Sequence, residues 1–366
     1  MTYENAAPPV RLGIVGAGFV ADFYLQALQQ VRDHTVTVIS ARTLDRGRAL
    51  ADRYGIPSVV DSTEELVNRD DVDIVVVAVP HDVHVGVVQA AAAAGKAVIC
   101  TKPLGRNSAE AAQCLAAVTE AGVWHGYAET AVFSSAVARA KQLVDSGAVG
   151  RVLTVRAREA HGSPHVHARS KERMGGGPLR GLGCHGVAVG RFFLEGATPV
   201  EAFAWGARLD RDDVEVEDNA VMLVRFDDGR MAQVEAGWTH VPGLDVRREI
   251  HGSAGWLGVD ETGAAGLAAF AGVDSGYVME KAGSTSGWLR PVLDEPRAYG
   301  YHGQFDHFIA RYRAGEMPIQ TLADGVIDNA VIDAGYRSME SGVWESIDLS
   351  ALTASDSAET AGAARE

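Results

Sequence analysis

The stretch Leu12-Gly-Ile-Val-Gly-Ala-Gly-Phe-Val-Ala21 constrains this chain most, because it sets Gly16, Gly18 and Ala21 in G-x-G-x-x-G/A spacing directly after an apolar run. Gly16 permits a tight turn, Gly18 lets the backbone approach a ligand, and Ala21 keeps the following helix close to the strand. The unpaired N–H groups at the start of that helix then suit a pyrophosphate. Such a motif gains weight only where it opens a series of strands alternating with helices. The next hundred residues supply one: β-branched runs near 10–15, 35–40, 73–79, 96–100 and 123–127 alternate with alanine-rich stretches. This predicts a doubly wound parallel sheet of the Rossmann type, and Asp73-Ile-Val-Val-Val-Ala-Val79, apolar on both faces, marks its centre.

After Glu129 the rhythm changes. A helical stretch over 131–145 leads into longer alternating strands at 150–160, 217–226 and 230–238, the last two joined by the hairpin turn Asp227-Asp228-Gly229. The expected fold class is therefore α/β, with an N-terminal Rossmann sheet followed by an α+β domain built on an open, mostly antiparallel sheet. Glycine-rich segments over 261–287 read as loops, 302–313 and 321–341 return to helical spacing, and Ala351–Glu366 lacks periodicity. These breaks divide the chain into a dinucleotide-binding domain at 1–128, a substrate-binding and oligomerisation domain at 129–350, and a flexible tail at 351–366.

With 33 basic and 48 acidic side chains the formal charge is -15, which repels a phosphate backbone and argues against nucleic acid as a partner. No apolar run reaches membrane length and the start has no basic n-region or apolar h-region, so a cytoplasmic enzyme with no membrane partner is expected. Cys100, Cys114 and Cys184 are too few and too scattered for a disulfide framework or a structural zinc site.

Three further segments follow in order: Pro80-His81-Asp82-Val83-His84, Thr101-Lys102-Pro103-Leu104, and Gly175-Gly-Gly-Pro-Leu-Arg-Gly-Leu-Gly-Cys-His185. Together with the glycine turn they make the chain resemble the glucose-fructose oxidoreductase, inositol dehydrogenase and MocA (Gfo/Idh/MocA) family from about Val10 to Leu349. The resemblance implies NAD or NADP as cofactor, hydride transfer at a ring hydroxyl carbon of a sugar, sugar derivative or cyclitol, and a homodimer or homotetramer. It assigns the cofactor to Gly16, Gly18, Phe19, Val20, Ala41, Arg42, Pro80, His81, His84 and Lys102, and catalysis to Lys102 and His185. No acid stands at the end of the second strand, where Arg42 either accepts a 2'-phosphate, favouring NADP, or stacks on adenine, leaving NAD open.

The chain also departs from the family. The aspartate expected four residues before the catalytic histidine is Gly181, and the glutamate expected before Lys-Pro is Thr101. Replacements for the lost groups are sought in His161 and His165, as acid and base or as contacts to sugar hydroxyls, and Tyr127, Glu129 and His302 are expected to complete the sugar site. The histidines at 161, 165 and 167 lack a carboxylate or cysteine at ligand spacing, so no metal is expected. Arg169, Lys171, Arg173 and Arg180 form a basic cluster in an acidic chain and suggest an anionic substrate, a uronate or sulfonated sugar. Three activities fit these features: net dehydrogenation or reduction; a redox-neutral NAD-dependent glycosidase that oxidises, eliminates and re-reduces; and a non-catalytic nucleotide-sensing regulator that kept only the fold.

Overall fold

The computed structural model describes residues 8–241, 243–262, 269–271, 287–289 and 294–352. Its first sheet contains β1 (Val10–Val15), β2 (His34–Ser40), β3 (Ser58–Val60), β4 (Ile74–Val77), β5 (Ala97–Thr101) and β6 (His125–Ala128), in the order β3-β2-β1-β4-β5-β6 and parallel throughout. All four residues of β4 are buried, as a central strand covered on both faces requires. The connecting helices are α1 (Phe19–Leu28), α2 (Leu44–Tyr54), α3 (Thr63–Val67), α4 (His84–Ala93) and α5 (Ser108–Glu120). Because β1 is flanked by β2 and β4, the crossovers leave it in opposite directions and open a crevice at the carboxyl ends of β1 and β4. The sequence did not announce β3, which has three residues and only one of them buried.

The expected helix over 131–145 is split. A 3₁₀ turn at Thr130–Phe133 precedes α6 (Ser135–Asp145), whose N-cap Ser134 accepts the Val137 N–H. There follow β7 (Val152–Ala160), α7 (Lys171–Met174), α8 (Pro178–Gly181) and α9 (Gly183–Phe193), then β8 (Pro199–Ala207), β9 (Asn219–Phe226), β10 (Met231–Gly237), β11 (Asp245–Gly252) and β12 (Trp256–Asp260). A two-stranded ribbon of β13 (Ala269–Ala271) and β14 (Gly287–Leu289) pairs within the segment read as loops; the rest of that segment after Thr262 lies outside the described residues. The chain continues through α10 (Glu295–Ala298), α11 (Tyr301–Ala314), α12 (Leu322–Ser341) and β15 (Glu345–Ser346), and the tail from 353 also lies outside the described residues.

The second sheet runs β12-β11-β7-β10-β9-β8-β15. The β9–β10 hairpin forms as expected, with Gly229 at positive φ, but β7 and β10 are parallel neighbours, so the sheet is mixed. Direction follows from the connection: the chain leaves β7, crosses the sheet face as α9, and re-enters through the antiparallel pair β8–β9. Helix α9 lies on β7 and β10, with α12 beside it and against β8. The last helices also return to the first sheet: Phe305 of α11 meets Tyr24 of α1 edge-on at 4.9 Å, Phe308 meets Trp124 at 6.1 Å, and α12 packs on α5 and β6. One apolar core consequently runs between the two sheets. Among the described residues no helix is long and apolar enough to cross a membrane.

Candidate active site

The glycine turn at the end of β1 is shaped by contact on one side and space on the other. A Cβ at Gly16, whose φ is +111°, would lie 2.3 Å from the Ala78 carbonyl oxygen, so no side chain fits between β1 and β4. Gly18 is the N-cap of α1 with no side-chain cap, and a Cβ there would meet nothing within 4 Å. Open room over uncapped helical N–H groups fits a pyrophosphate.

Between this cradle and the second sheet lies a cavity of about 300 Å³. The first half contributes Gly18, Phe19, Val20, Pro80, His81 and Lys102 to its wall, and the second half contributes Glu159, His161, His165, His185 and Arg248. Lys102, just past β5, donates from Nζ to the Gly181 carbonyl at 2.9 Å. The Thr101 hydroxyl accepts the Tyr24 hydroxyl at 2.8 Å, so where a carboxylate was expected before Lys-Pro there is a neutral pair and the lysine is held by a backbone oxygen. Gly181 closes α8, and a Cβ at that position would lie 2.3 Å from Met174 Cε. An aspartate has no room there while Met174 keeps its place.

The missing carboxylate comes from another direction. His185, in the first turn of α9 and only 6% exposed, faces Glu129 Oε1 with Nδ1 at 2.5 Å. Glu129 is fully buried just beyond β6, and the same oxygen accepts the Ala131 N–H at 3.0 Å. A carboxylate at Nδ1 keeps the ring proton there and leaves the Nε2 lone pair for the cavity. The next group met by Nε2 is Glu159 Oε1 at 3.5 Å. Glu159, near the end of β7, accepts Arg248 Nη2–H on Oε2 at 2.8 Å, and its Oε1 lies 3.6 Å from His161 Nε2. Burial alone would raise the Glu159 carboxyl, but His185, His161 and Arg248 outweigh it and hold the group well below the usual carboxylate range. Sequence reasoning passed over Glu159, although the alternation of β7 puts it on the same face as the buried Val155 and Ala157.

Glu129, Cys184 and His185 bring three potential ligand atoms within 4.8 Å of one another. In this structure they are already engaged: Glu129 with His185, and the Cys184 thiol, whose pKa burial pushes well up, with the Gly181 carbonyl at 3.6 Å.

The remaining sequence candidates fall in different places. His165 lines the cavity and packs on Phe19 at 5.1 Å. His84 is buried behind it, its ring nitrogens 3.1 Å from the Leu104 carbonyl and 2.9 Å from that of Val79, and so ties two loops together. Ala41 is buried and Arg42 exposed, both just past β2 and outside the cavity wall. Tyr127, read as a sugar contact, is fully buried and faces α12, where a Cβ on Gly325 would be 3.1 Å from its ring. Glu129, read the same way, sits behind His185 and does not line the cavity. His302 lies on α11, with Nε2 3.2 Å from the Gln30 carbonyl, also away from it. None of the four bases lines the cavity either: Arg169 pairs with Asp213 at 3.3 Å, Arg173 with Asp82 at 3.3 Å, buried Arg180 with Asp333, and Lys171 is exposed. Acids far away in sequence draw the three arginines aside, so this cluster does not supply the cavity with cations for an anionic substrate.

The profile of the oxidoreductase family with an NAD-binding Rossmann fold matches residues 10–128, and that of the GFO/IDH/MocA C-terminal domain matches 137–258. The chain belongs to the Gfo/Idh/MocA oxidoreductase family. It is 32% identical over 251 residues to the 1,5-anhydro-D-fructose reductase of Ensifer adhaerens, covering 68% of this chain and 74% of that one. It is 29% identical to the bovine trans-1,2-dihydrobenzene-1,2-diol dehydrogenase, covering 60% of this chain and 65% of the relative's length. Among solved structures, GenD2 from gentamicin A biosynthesis, in complex with NAD, superposes with a TM-score of 0.87 at 28% identity over 94% of this chain and 98% of that one. In this Gfo/Idh/MocA member, Gly16 and Gly18 therefore belong to an NAD-binding Rossmann domain, and the cavity opens from it onto the mixed sheet.

Proposed function

We propose that this chain oxidises a ring carbinol of a sugar, sugar derivative or cyclitol, or reduces the corresponding carbonyl, with residues 1–128 binding the dinucleotide and residues of 129–350 most of the substrate. The observation that carries this reading is His185, backed at Nδ1 by Glu129 at 2.5 Å and presenting Nε2 to the same cavity that receives Lys102. The bound nicotinamide supplies the two-electron acceptor or donor. His185 Nε2 takes the hydroxyl proton, Glu129 holds the Nδ1–H and offsets the charge that forms on the ring, and the Lys102 ammonium donates to the substrate oxygen as negative charge develops on it. Relatives named as dehydrogenases or reductases of diols, anhydrosugars and inositol support this substrate class.

The redox-neutral glycosidase reading drew on the absent aspartate at 181 and on the extra histidines; Glu129 gives His185 a carboxylate partner, which favours the simpler reaction, while His161 and His165 line the cavity. The regulator reading is weakened by the same placement of Lys102 and His185 together. The test is the absorbance of reduced nicotinamide against a panel of sugars and cyclitols, with NAD and with NADP. Stoichiometric change with product is expected; aglycone release without net absorbance change would select the glycosidase instead. His185→Ala and Lys102→Ala should each lower kcat/KM by about 100-fold or more while dinucleotide affinity, read by calorimetry, stays within about threefold. A near-native rate in either variant removes that residue from the mechanism.

A further inference from the structure

The cavity holds a second acceptor that the proton transfer does not use. Glu159 is pinned through one oxygen: Arg248, 1% exposed, donates to Oε2 at 2.8 Å and is itself fixed by the carbonyls of Arg158 at 2.5 Å and Arg247 at 3.1 Å. The other oxygen, Oε1, has only His185 Nε2 at 3.5 Å and His161 Nε2 at 3.6 Å, both beyond the length of a well-formed N–H···O bond. A carboxylate oxygen in a cavity wall whose nearest partners stand at 3.5 Å and 3.6 Å has capacity for a donor brought by the ligand.

We propose that Glu159 Oε1 receives a hydrogen bond from a hydroxyl or ammonium on the carbon next to the one oxidised, so that the substrates are neutral or cationic vicinal diols or amino alcohols and anionic sugars are excluded. The proposal rests on the oxidoreductase reading above, which places the reacting hydroxyl at His185 Nε2. Two acceptors 3.5 Å apart match two donors on neighbouring ring carbons and are too close together to serve donors from opposite sides of a ring. The charge of the wall points the same way. Glu159 accepts from Arg248 at 2.8 Å, and Glu261 approaches the same guanidinium, its Oε2 3.9 Å away, so one cation already serves two acids. An incoming carboxylate or sulfonate beside Glu159 would face both, while the Lys102 ammonium in the same cavity is committed to the reacting oxygen.

The test uses the full-length holoenzyme and its Glu159→Gln variant. D-glucose and myo-inositol are compared with each of their monodeoxy analogues, with 2-amino-2-deoxy-D-glucose and with D-glucuronate, by kcat/KM and by calorimetric affinity in the presence of the oxidised dinucleotide. One deoxy position, adjacent to the oxidised carbon, should cost about 100-fold or more, because an ionised acceptor is then left facing a C–H group. Glucuronate should bind at least about tenfold more weakly than glucose. In Glu159→Gln, the penalty for the same deoxy analogue should shrink to about tenfold or less, with an unchanged far-UV circular dichroism spectrum showing that the fold is intact. If no single deoxygenation matters more than about threefold in either readout, or if glucuronate is preferred, the proposal is overturned while the oxidoreductase reading stands. If sugars bind with the expected discrimination but no nicotinamide absorbance changes, the oxidoreductase reading fails and Glu159 keeps its role in recognition.

Discussion

A histidine whose Nδ1 proton is held by a buried carboxylate can take up a proton only at Nε2, and the strength of that grip sets how well the ring acts as a base. Glu129→Gln replaces the carboxylate with an amide that can present N–H to Nδ1 and reverse the tautomer. It should lower kcat by about 100-fold or more with little change in dinucleotide affinity, a split that stopped-flow and equilibrium binding would read. Restoring the aspartate of the family is a second test. Gly181→Asp alone should lower the melting temperature, since its Cβ would meet Met174 Cε at 2.3 Å, and adding Met174→Ala should recover most of the loss. Recovery in neither background would show that the obstruction is not Met174. Arg42 stands exposed after β2 with no acid beside it in the Ser40-Ala41-Arg42-Thr43 run. If it grips a 2'-phosphate, Arg42→Ala should shift the NADP-to-NAD ratio of kcat/KM by about tenfold toward NAD, and an unmoved ratio would assign it to adenine stacking instead.

At the scale of elements the site depends on how closely α9 lies on its sheet. A Cβ at Gly186 would come 2.8 Å from Val234 Cγ1 of β10, so Gly186→Ala should push the helix outward, destabilise by about 1–3 kcal/mol in urea unfolding, and loosen the His185–Glu129 pair enough to reduce turnover as well. The elements themselves were largely legible in the sequence. β1 and β4 were plain because runs apolar on both faces occur where helices cover a parallel sheet, and the β9–β10 hairpin because Asp-Asp-Gly suits its turn. The parallel pairing of β7 with β10 was not legible, since alternation reports which face a residue takes and says nothing of its neighbour's direction. The same blindness affected charge. Arg169, Arg173 and Arg180 were visible as a basic cluster, but their partners Asp213, Asp82 and Asp333 come from remote segments. Glu129 was found and given the wrong duty for a related reason: its position after β6 was readable, and its approach to a helix of the second half was a matter of packing.

Over the whole molecule, α12 joins both halves and carries an ion cluster at the junction. Arg191 of α9 donates to Asp328 at 2.9 Å and to Asp324 at 2.8 Å, one guanidinium for two carboxylates. Burial lifts the Asp328 carboxyl to about 8 against the pull of Arg191. A proton kept by the folded chain up to about 8, but released by the unfolded chain near 4, favours the fold below that window, and the advantage is lost as pH rises through it. The stability of the wild type relative to Asp328→Asn should therefore fall by up to about 1.4 kcal/mol per pH unit between pH 5 and 8, and a flat difference would place the proton elsewhere. The return of α11 to the first sheet has a consequence for biosynthesis. Phe305 and Phe308 close over Tyr24 and Trp124, so the apolar face beside α1 is finished by residues translated long after it. A fragment ending at residue 128 should bind the dye ANS and aggregate, where the full chain does not. The nucleotide-binding half is made before the helix that completes it, and until α11 has emerged from the ribosome it presents a surface that a chaperone would recognise.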